Sequence, residues 1–471
     1  MNFVSWAFVA LFVVVFAARL TIGRRKVESP YLGVLLLSSL VFYGWHTPAY
    51  LGVLLGSATV DYIAALAIGR LEARETGRRR AYLVASLVVN LGLLAFYKYG
   101  AFATRSIAEV AALAGAEVRL PEFSLILPMG ISFYTFQSLS YTIDVYRGQL
   151  APVRSFPRFL LFISFFPQLV AGPIVRASEF LPQIPRPRRL HARAFYQGAW
   201  LLLLGFFLKM VCADNLAAYV DEYWANGYRD SMDPAFALWL SVMFSGQIFA
   251  DFAGYSSIAQ GLGYLLGFRF PRNFNAPYIA TSFKNFWERW HITLSRWLRD
   301  YLYVPLGGNR GSRARTLTNL LLVMLLGGLW HGAAYTFLVW GAIHGVCLVG
   351  ERLLGLHRDA PRPVAVRVAW FAVVQGAVLV AWIFFRSATV TDAMTFLGNL
   401  VSGPWHPPAL WMVQALVFLL PLVVLHLHTW LAERGRAPAV GPAGRAALAA
   451  AMAYGILTLH GGTSDFIYFQ F

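Results

Sequence analysis

The feature that most constrains this chain is a succession of long apolar runs separated by short basic loops. Such runs cover residues 3–20, 31–45, 50–68, 82–97, 156–169 and 195–211 in the first half of the chain. They continue over 235–249, 318–330, 335–354, 366–385, 410–427 and 446–459. A helix needs about 20 apolar residues to cross the hydrocarbon core of a bilayer. The longer runs approach that length. The shorter ones predict tilted, broken or re-entrant helices, which are tolerated where protein covers them or where they line a cavity. Charged residues make up only 13% of the chain and hydrophobic ones 58%, whereas soluble domains carry about a quarter charged residues. Much of the surface must therefore face lipid. No linker or low-complexity tract divides the chain. The expectation is an all-α polytopic membrane protein, one domain over residues 1–471, with about 11–13 membrane helices including re-entrant or interfacial ones.

The formal charge of +17 arises from 39 Lys and Arg against 22 Asp and Glu. In a soluble protein it would suggest nucleic acid. Here the cations lie between apolar runs: Arg24, Arg25 and Lys26; Arg70, Arg74, Arg78, Arg79 and Arg80; Arg186, Arg188, Arg189 and Arg193; Arg434, Arg436 and Arg445. That is the positive-inside pattern, so these loops are expected on the cytoplasmic side and nucleic acid is not an expected partner. The N-terminus and the segment 463–471 are then expected outside. Residues 1–20 lack a basic start and a small-residue cleavage site, and read as the first membrane helix. The cysteines, Cys212 and Cys347, lie in apolar runs and predict neither a disulfide framework nor a zinc site.

The segment 268–312 is too polar for a plain span yet dense in aromatics. Within 283–300, Phe283, Phe286, Trp287, Trp290, Leu294 and Trp297 fall at helical spacing, with Lys and Arg on the remaining faces. It predicts an amphipathic helix at the cytoplasmic interface or dipping into it.

Histidines are the candidates for chemistry. His331 ends the run Leu329-Trp330-His331-Gly332, among small residues that let other backbones or a substrate approach. An ionisable residue at membrane depth is a functional candidate, and a neutral imidazole can take a proton from a hydroxyl nucleophile. A hydrogen-bonded structural role between helices stands beside that reading. His291 either orients a substrate or shares the acid/base work, or else faces interfacial water on a polar face. His344, in an apolar helix, is expected to pack or hydrogen-bond there, and His426 lies with several others at run ends or loops. No strong metal motif appears.

Two segments, 128–137 and 165–174, interrupt apolar stretches with Pro and Gly. They either line a cavity or form packing kinks. Residues 305–311, with Asn309, either cradle a phosphate or form a plain tight turn, and the absence of the P-loop lysine pattern favours the turn. The tail, residues 465–471, ends in alternating aromatics around Tyr468. It is either an interfacial anchor or a segment that docks and presents the Tyr468 hydroxyl.

Taken together, 128–147, 165–176, 285–310, 325–345 and the tail resemble the membrane-bound O-acyltransferase superfamily, in its bacterial polysaccharide O-acetylation branch. The resemblance spans nearly the whole chain. It implies a helical funnel with a central tunnel. It implies His331 as the principal catalytic residue and His291 as its polar partner upstream, with Tyr468 as an acyl relay on the outer side. Trp287, Arg289, Trp290, Arg296, Arg299, Asn309 and Trp330 would line the path of the donor, although the three arginines serve equally to bind anionic lipid headgroups. The resemblance further implies a thioester donor (acetyl-CoA or an acyl carrier protein), no bound cofactor or metal, and an extracytoplasmic SGNH-type acetyltransferase as partner. The final acceptor would be an exported polysaccharide such as alginate, and the location the bacterial inner membrane. A transporter or flippase, and D-alanyl transfer to teichoic acid within the same superfamily, are the rival readings.

Overall fold

The computed structural model describes residues 1–22, 30–118, 120–121, 127–169, 172–185, 187, 189–226, 232–357, 363–406, 413–462 and 466–467. Helices dominate, and no strand occurs among the described residues. Six described helices are long and apolar enough to cross a bilayer: Tyr50–Arg70, Thr76–Leu113, Ala192–Glu222, Pro234–Leu266, Tyr335–Leu353 and Val364–Arg386. Three shorter apolar helices, Trp6–Thr21, Pro30–Gly44 and Leu416–Ala432, accompany them. Large apolar side chains such as Val14, Leu37, Ile63, Val88 and Val368 are exposed on these helices. In water such a surface would aggregate; facing acyl chains it costs nothing. The chain is a multi-pass membrane protein.

The helices pack as two compact units. One comprises residues 1–199 and 259–271, the other residues 200–258 and 272–471. Two of the three crossings between units fall inside helices, Ala192–Phe206 and Pro234–Leu266, and the third falls between Pro271 and Arg272.

The first unit is built around helix Ile131–Tyr146, which is buried at 14 of its 16 positions and packs against Tyr50–Arg70 and Thr76–Leu94. The Pro-Gly break at 128–130 starts this helix: Gly130 holds a left-handed φ of 73° at its N-cap, a conformation glycine adopts without penalty. The second break also holds. Helix Phe156–Ser164 stops at Phe165, and a single turn, Phe166–Leu169, follows.

The second unit contains the pair Arg313–His331 and Tyr335–Leu353. Their backbones come very close at Gly341, where a Cβ would lie 2.4 Å from the Met324 carbonyl oxygen. Small residues permit this approach. The segment 283–300 departs from the expectation of one interfacial amphipathic helix. It forms two seven-residue helices, Phe283–Arg289 and Ile292–Leu298, and Phe283, Phe286, Trp290, Leu294 and Trp297 are all buried in protein. The cause is the non-helical segment 273–275. It donates Asn275 N–H to the Arg289 carbonyl at 3.0 Å and accepts Ile292 N–H at the Asn273 carbonyl at 2.9 Å, diverting groups that a continuous helix would use internally.

Candidate functional site

His291 stands at the break between those two helices. Its backbone is left-handed, φ 41° and ψ 53°, a region that costs a residue with a Cβ about 1–2 kcal/mol. The surroundings enforce it. Asn273 Oδ1 accepts from the Thr293 hydroxyl at 2.9 Å and from its N–H at 3.3 Å, while Asn273 Nδ2 donates to Ser256 Oγ at 3.2 Å. The imidazole caps the second helix: Nδ1 accepts from Leu294 N–H at 3.2 Å. In the neutral ring this leaves the proton on Nε2. The side chain is fully buried.

His331 is the last residue of helix Arg313–His331. Gly332 follows as the C-cap because nothing larger fits: a Cβ there would fall 1.9 Å from the Phe337 ring. The His331 ring meets Trp330 at 5.0 Å, Trp340 at 4.9 Å and Phe385 at 5.5 Å, mostly edge to face. The His291 ring centroid is 6.4 Å away. Two imidazoles from distant parts of the sequence thus meet inside a cage of aromatic rings. Water is largely excluded there, which strengthens any hydrogen bond to a bound group.

His344 packs as expected of it, and its packing places it in the same cluster. It is buried against Trp287 at 5.0 Å, Trp340 at 4.8 Å and Phe286 at 5.8 Å. Neither ring nitrogen has a hydrogen-bond partner among the described residues. Its position four residues after Trp340 puts the two side chains on one helical face. His426 is not at a run end. It is buried within helix Leu416–Ala432, with Nδ1 2.7 Å from the Leu422 carbonyl. Its ring stacks on Tyr278, which lies 6.3 Å from Trp290. Tyr278 and His426 line a cavity of about 730 Å³ with Val368, Phe371, Leu419 and Trp430.

The remaining predicted residues divide. Trp290 and Trp330 are buried in the cage, and Trp287 borders it through His344. Arg289 is fully engaged. Its two terminal nitrogens each donate to a Glu433 oxygen at 2.8 Å, Nη1 also to the Asn275 carbonyl, and Nε to Asn285. Arg296 and Arg299 are exposed, and Arg299 pairs with Asp300. Asn309 is exposed and accepts from the Tyr303 hydroxyl. With Lys284, Glu351, Arg352 and His357 it lines a separate cavity of about 310 Å³. Tyr468 lies outside the described residues, whereas its neighbours Phe466 and Ile467 are described and buried. No cluster of metal-ligating side chains occurs among the described residues.

Comparison with known proteins bears on this geometry. Residues 149–362 match the model of MBOAT, the membrane-bound O-acyltransferase family, a stretch that holds both His291 and His331. The chain is 39% identical over 409 residues to the probable alginate O-acetylase AlgI of Pseudomonas aeruginosa, covering 86% of this chain and 76% of that protein. It is 38% identical over 437 residues to the protein of the same name from Azotobacter vinelandii, covering 91% and 85%. It is 35% identical over 400 residues to the peptidoglycan O-acetyltransferase of Helicobacter pylori, covering 78% and 73%.

Proposed function

Since this chain belongs to the membrane-bound O-acyltransferase family and is an acyltransferase, we propose that it moves an acetyl group from a cytoplasmic thioester across the bacterial inner membrane for O-acetylation of an exported polysaccharide. The observation that carries this reading is the pairing of His291 with His331, ring centroids 6.4 Å apart, in a buried aromatic cage.

His331 is the general base in this reading. It takes the proton of a hydroxyl, for which the Tyr468 phenol is the proposed source. The oxygen attacks the thioester carbonyl, the tetrahedral intermediate collapses, and the C–S bond breaks. The thiolate leaves and takes up the proton that His331 holds, giving a tyrosyl acetate and a free thiol. General base catalysis of this kind contributes about 10²–10⁴-fold. His291 can present an N–H to the carbonyl oxygen as negative charge develops there, because its Nδ1 is occupied as a cap. An SGNH-type transferase then accepts the acetyl group outside and passes it to a sugar hydroxyl. Relatives named for alginate and for peptidoglycan share that acceptor chemistry. The basic loops Arg70–Arg80 and Arg434–Arg445 support a cytoplasmic placement of those segments and an outer placement of both chain ends. Exposed Arg296 and Arg299 suit the attraction of an anionic donor; Arg289, held by Glu433, suits a positioning role.

The test is intact and peptide mass spectrometry of the purified protein after incubation with acetyl-CoA. A labile acetyl group on the C-terminal peptide, lost in His331→Ala, is the expected result. Full acetylation in His331→Ala would remove His331 from the reaction. His331-dependent thioester turnover without an adduct would remove Tyr468.

A further inference from the structure

Lys209 is a fully buried cation on a membrane span. It sits in the π turn Phe207–Ala213, which interrupts the long helix from Ala192. Such turns cluster at functional sites because they redirect a side chain that regular helix would point elsewhere. The Lys209 ammonium lies 2.7 Å from Asp214 and 2.9 Å from Asp251, both buried. A buried ion cluster is weak evidence for stability, since apolar residues of similar size often serve as well. A more specific use is therefore expected of it.

The structure supplies one. The second oxygen of Asp251 accepts the backbone N–H of Ile467 at 2.7 Å. Two further bonds tie the approach to the tail. Gly461 N–H donates to the Met210 carbonyl at 3.0 Å, inside the π turn, and Asn215 Nδ2 donates to the Leu459 carbonyl at 2.7 Å. Gly461 passes so close to the turn that a Cβ would lie 2.7 Å from the Asp214 carbonyl carbon. Phe466 packs on Tyr255 at 4.4 Å and on Phe252 at 5.6 Å. Phe252 in turn meets the His291 ring at 4.7 Å.

We infer that the Lys209–Asp214–Asp251 cluster is a dock for the C-terminal segment, in which Asp251 receives the Ile467 amide and holds the neighbouring Phe466 one aromatic ring, that of Phe252, from His291. Asp251 and Lys209 are then positioning residues. Lys209 pairs with Asp251 and aims it, and a carboxylate holds an N–H about twice as strongly as a neutral acceptor does. The docking itself is independent of the acyl-relay reading; only its consequence for the reaction rests on that reading.

The experiment is hydrogen–deuterium exchange on the full-length protein in detergent, for the unaltered chain, Asp251→Ala and Ile467→Pro. Asp251→Ala leaves Lys209 paired with Asp214, so no buried charge is orphaned. Ile467→Pro deletes the donor and leaves the ion cluster whole, so it keeps the test sound if the first variant unfolds. Exchange of the C-terminal peptide is expected to quicken at least tenfold in both, with peptides of helix Pro234–Leu266 still protected in Ile467→Pro. Unchanged exchange at the tail in Ile467→Pro would overturn the dock. The acetyl adduct on the C-terminal peptide, measured in the same samples, is expected to fall at least tenfold. A freed tail with undiminished transfer would leave the dock standing and sink Tyr468 as the relay.

Discussion

Asp61 in the first unit and His331 in the second are both ionisable side chains buried in apolar helical surroundings, yet their neighbours differ. Asp61 accepts from the Ser86 hydroxyl at 2.5 Å and from Asn90 Nδ2 at 2.8 and 3.0 Å. Ser57 in turn donates to Asn90 Oδ1 at 2.8 Å. Donors and acceptors match, and helices Tyr50–Arg70 and Thr76–Leu94 are joined by the match. His331 is instead surrounded by the faces and edges of Trp330, Trp340, Phe385 and His291. A polar group saturated by short side-chain bonds acts as glue between helices. His331 is set among rings and small residues, and in the reading proposed above the reacting group enters between them. The default that an intramembrane ionisable residue is functional therefore does not carry over to Asp61, whose matched polar network already accounts for its burial.

The comparison breaks if activity follows the wrong residue. His331→Ala is expected to lower acetyl transfer by about 10²–10⁴-fold, with the protein still folded in detergent. Asp61→Asn, which keeps the shape and most of the bonds, is expected to change the rate per folded molecule less than about threefold. Transfer abolished in a well-folded Asp61→Asn protein would show that the first unit carries chemistry too.

A harsher change sharpens the same contrast. Asp61→Leu leaves the Ser86 hydroxyl and one N–H of the Asn90 amide without their acceptor, the other N–H keeping the Ser86 carbonyl at 2.9 Å, at about 1–3 kcal/mol for each unpaired group. Thermal unfolding should then fall well below that of Asp61→Asn. Equal melting of the two variants would mean that the network is not glue.

His291 tests whether position or chemistry dominates in the second unit. Asn tolerates the left-handed backbone and caps a helix as well as any residue, so His291→Asn should fold normally and lose transfer. His291→Val combines a strained left-handed β-branched residue with a lost cap. It should cost about 2–4 kcal/mol of stability in addition. Comparable melting temperatures for the two would contradict the strain that the φ of 41° implies.

Much of this was legible in the sequence, and the rest was hidden for definite reasons. The spans were legible because lipid demands long apolar runs, and 50–68, 335–354 and 366–385 each became a helix within two residues of the expected ends. Trp330-His331-Gly332 was legible because an imidazole at the end of such a run is costly to bury, and the small residues beside it leave room for another group. The break at His291 was not. Periodicity over 283–300 fits an unbroken helix, and only the hydrogen bonds from 273–275 reveal otherwise. Lys209 was hidden for a related reason: a single lysine in an apolar run gives no sign of partners 5 and 42 residues further on, at Asp214 and Asp251. His426 is read as lying at a run end because its burial depends on which neighbour covers that helix face, here Tyr278 and Phe249.

The smallest expected effect concerns the outer edge of the histidine cluster, where Arg289 clamps Glu433 bidentately. The Arg289 guanidinium, hydrogen-bonded to it, holds the Glu433 carboxyl below its usual range. A carboxyl whose pKa is lower folded than unfolded contributes stability that is fully present above the ordinary Glu value of about 4.3. That stability is lost as pH falls through the lowered folded value. The Glu433 side chain is 36% exposed, so solvent screening limits the pair to about 1 kcal/mol or less. Glu433→Gln should therefore melt slightly below the unaltered protein at neutral pH, and the gap should close in acid. A gap that persists unchanged once the carboxyl is protonated in both the folded and the unfolded chain would assign the loss to packing. Arg289 would then hold the break at His291 through the Asn275 carbonyl alone.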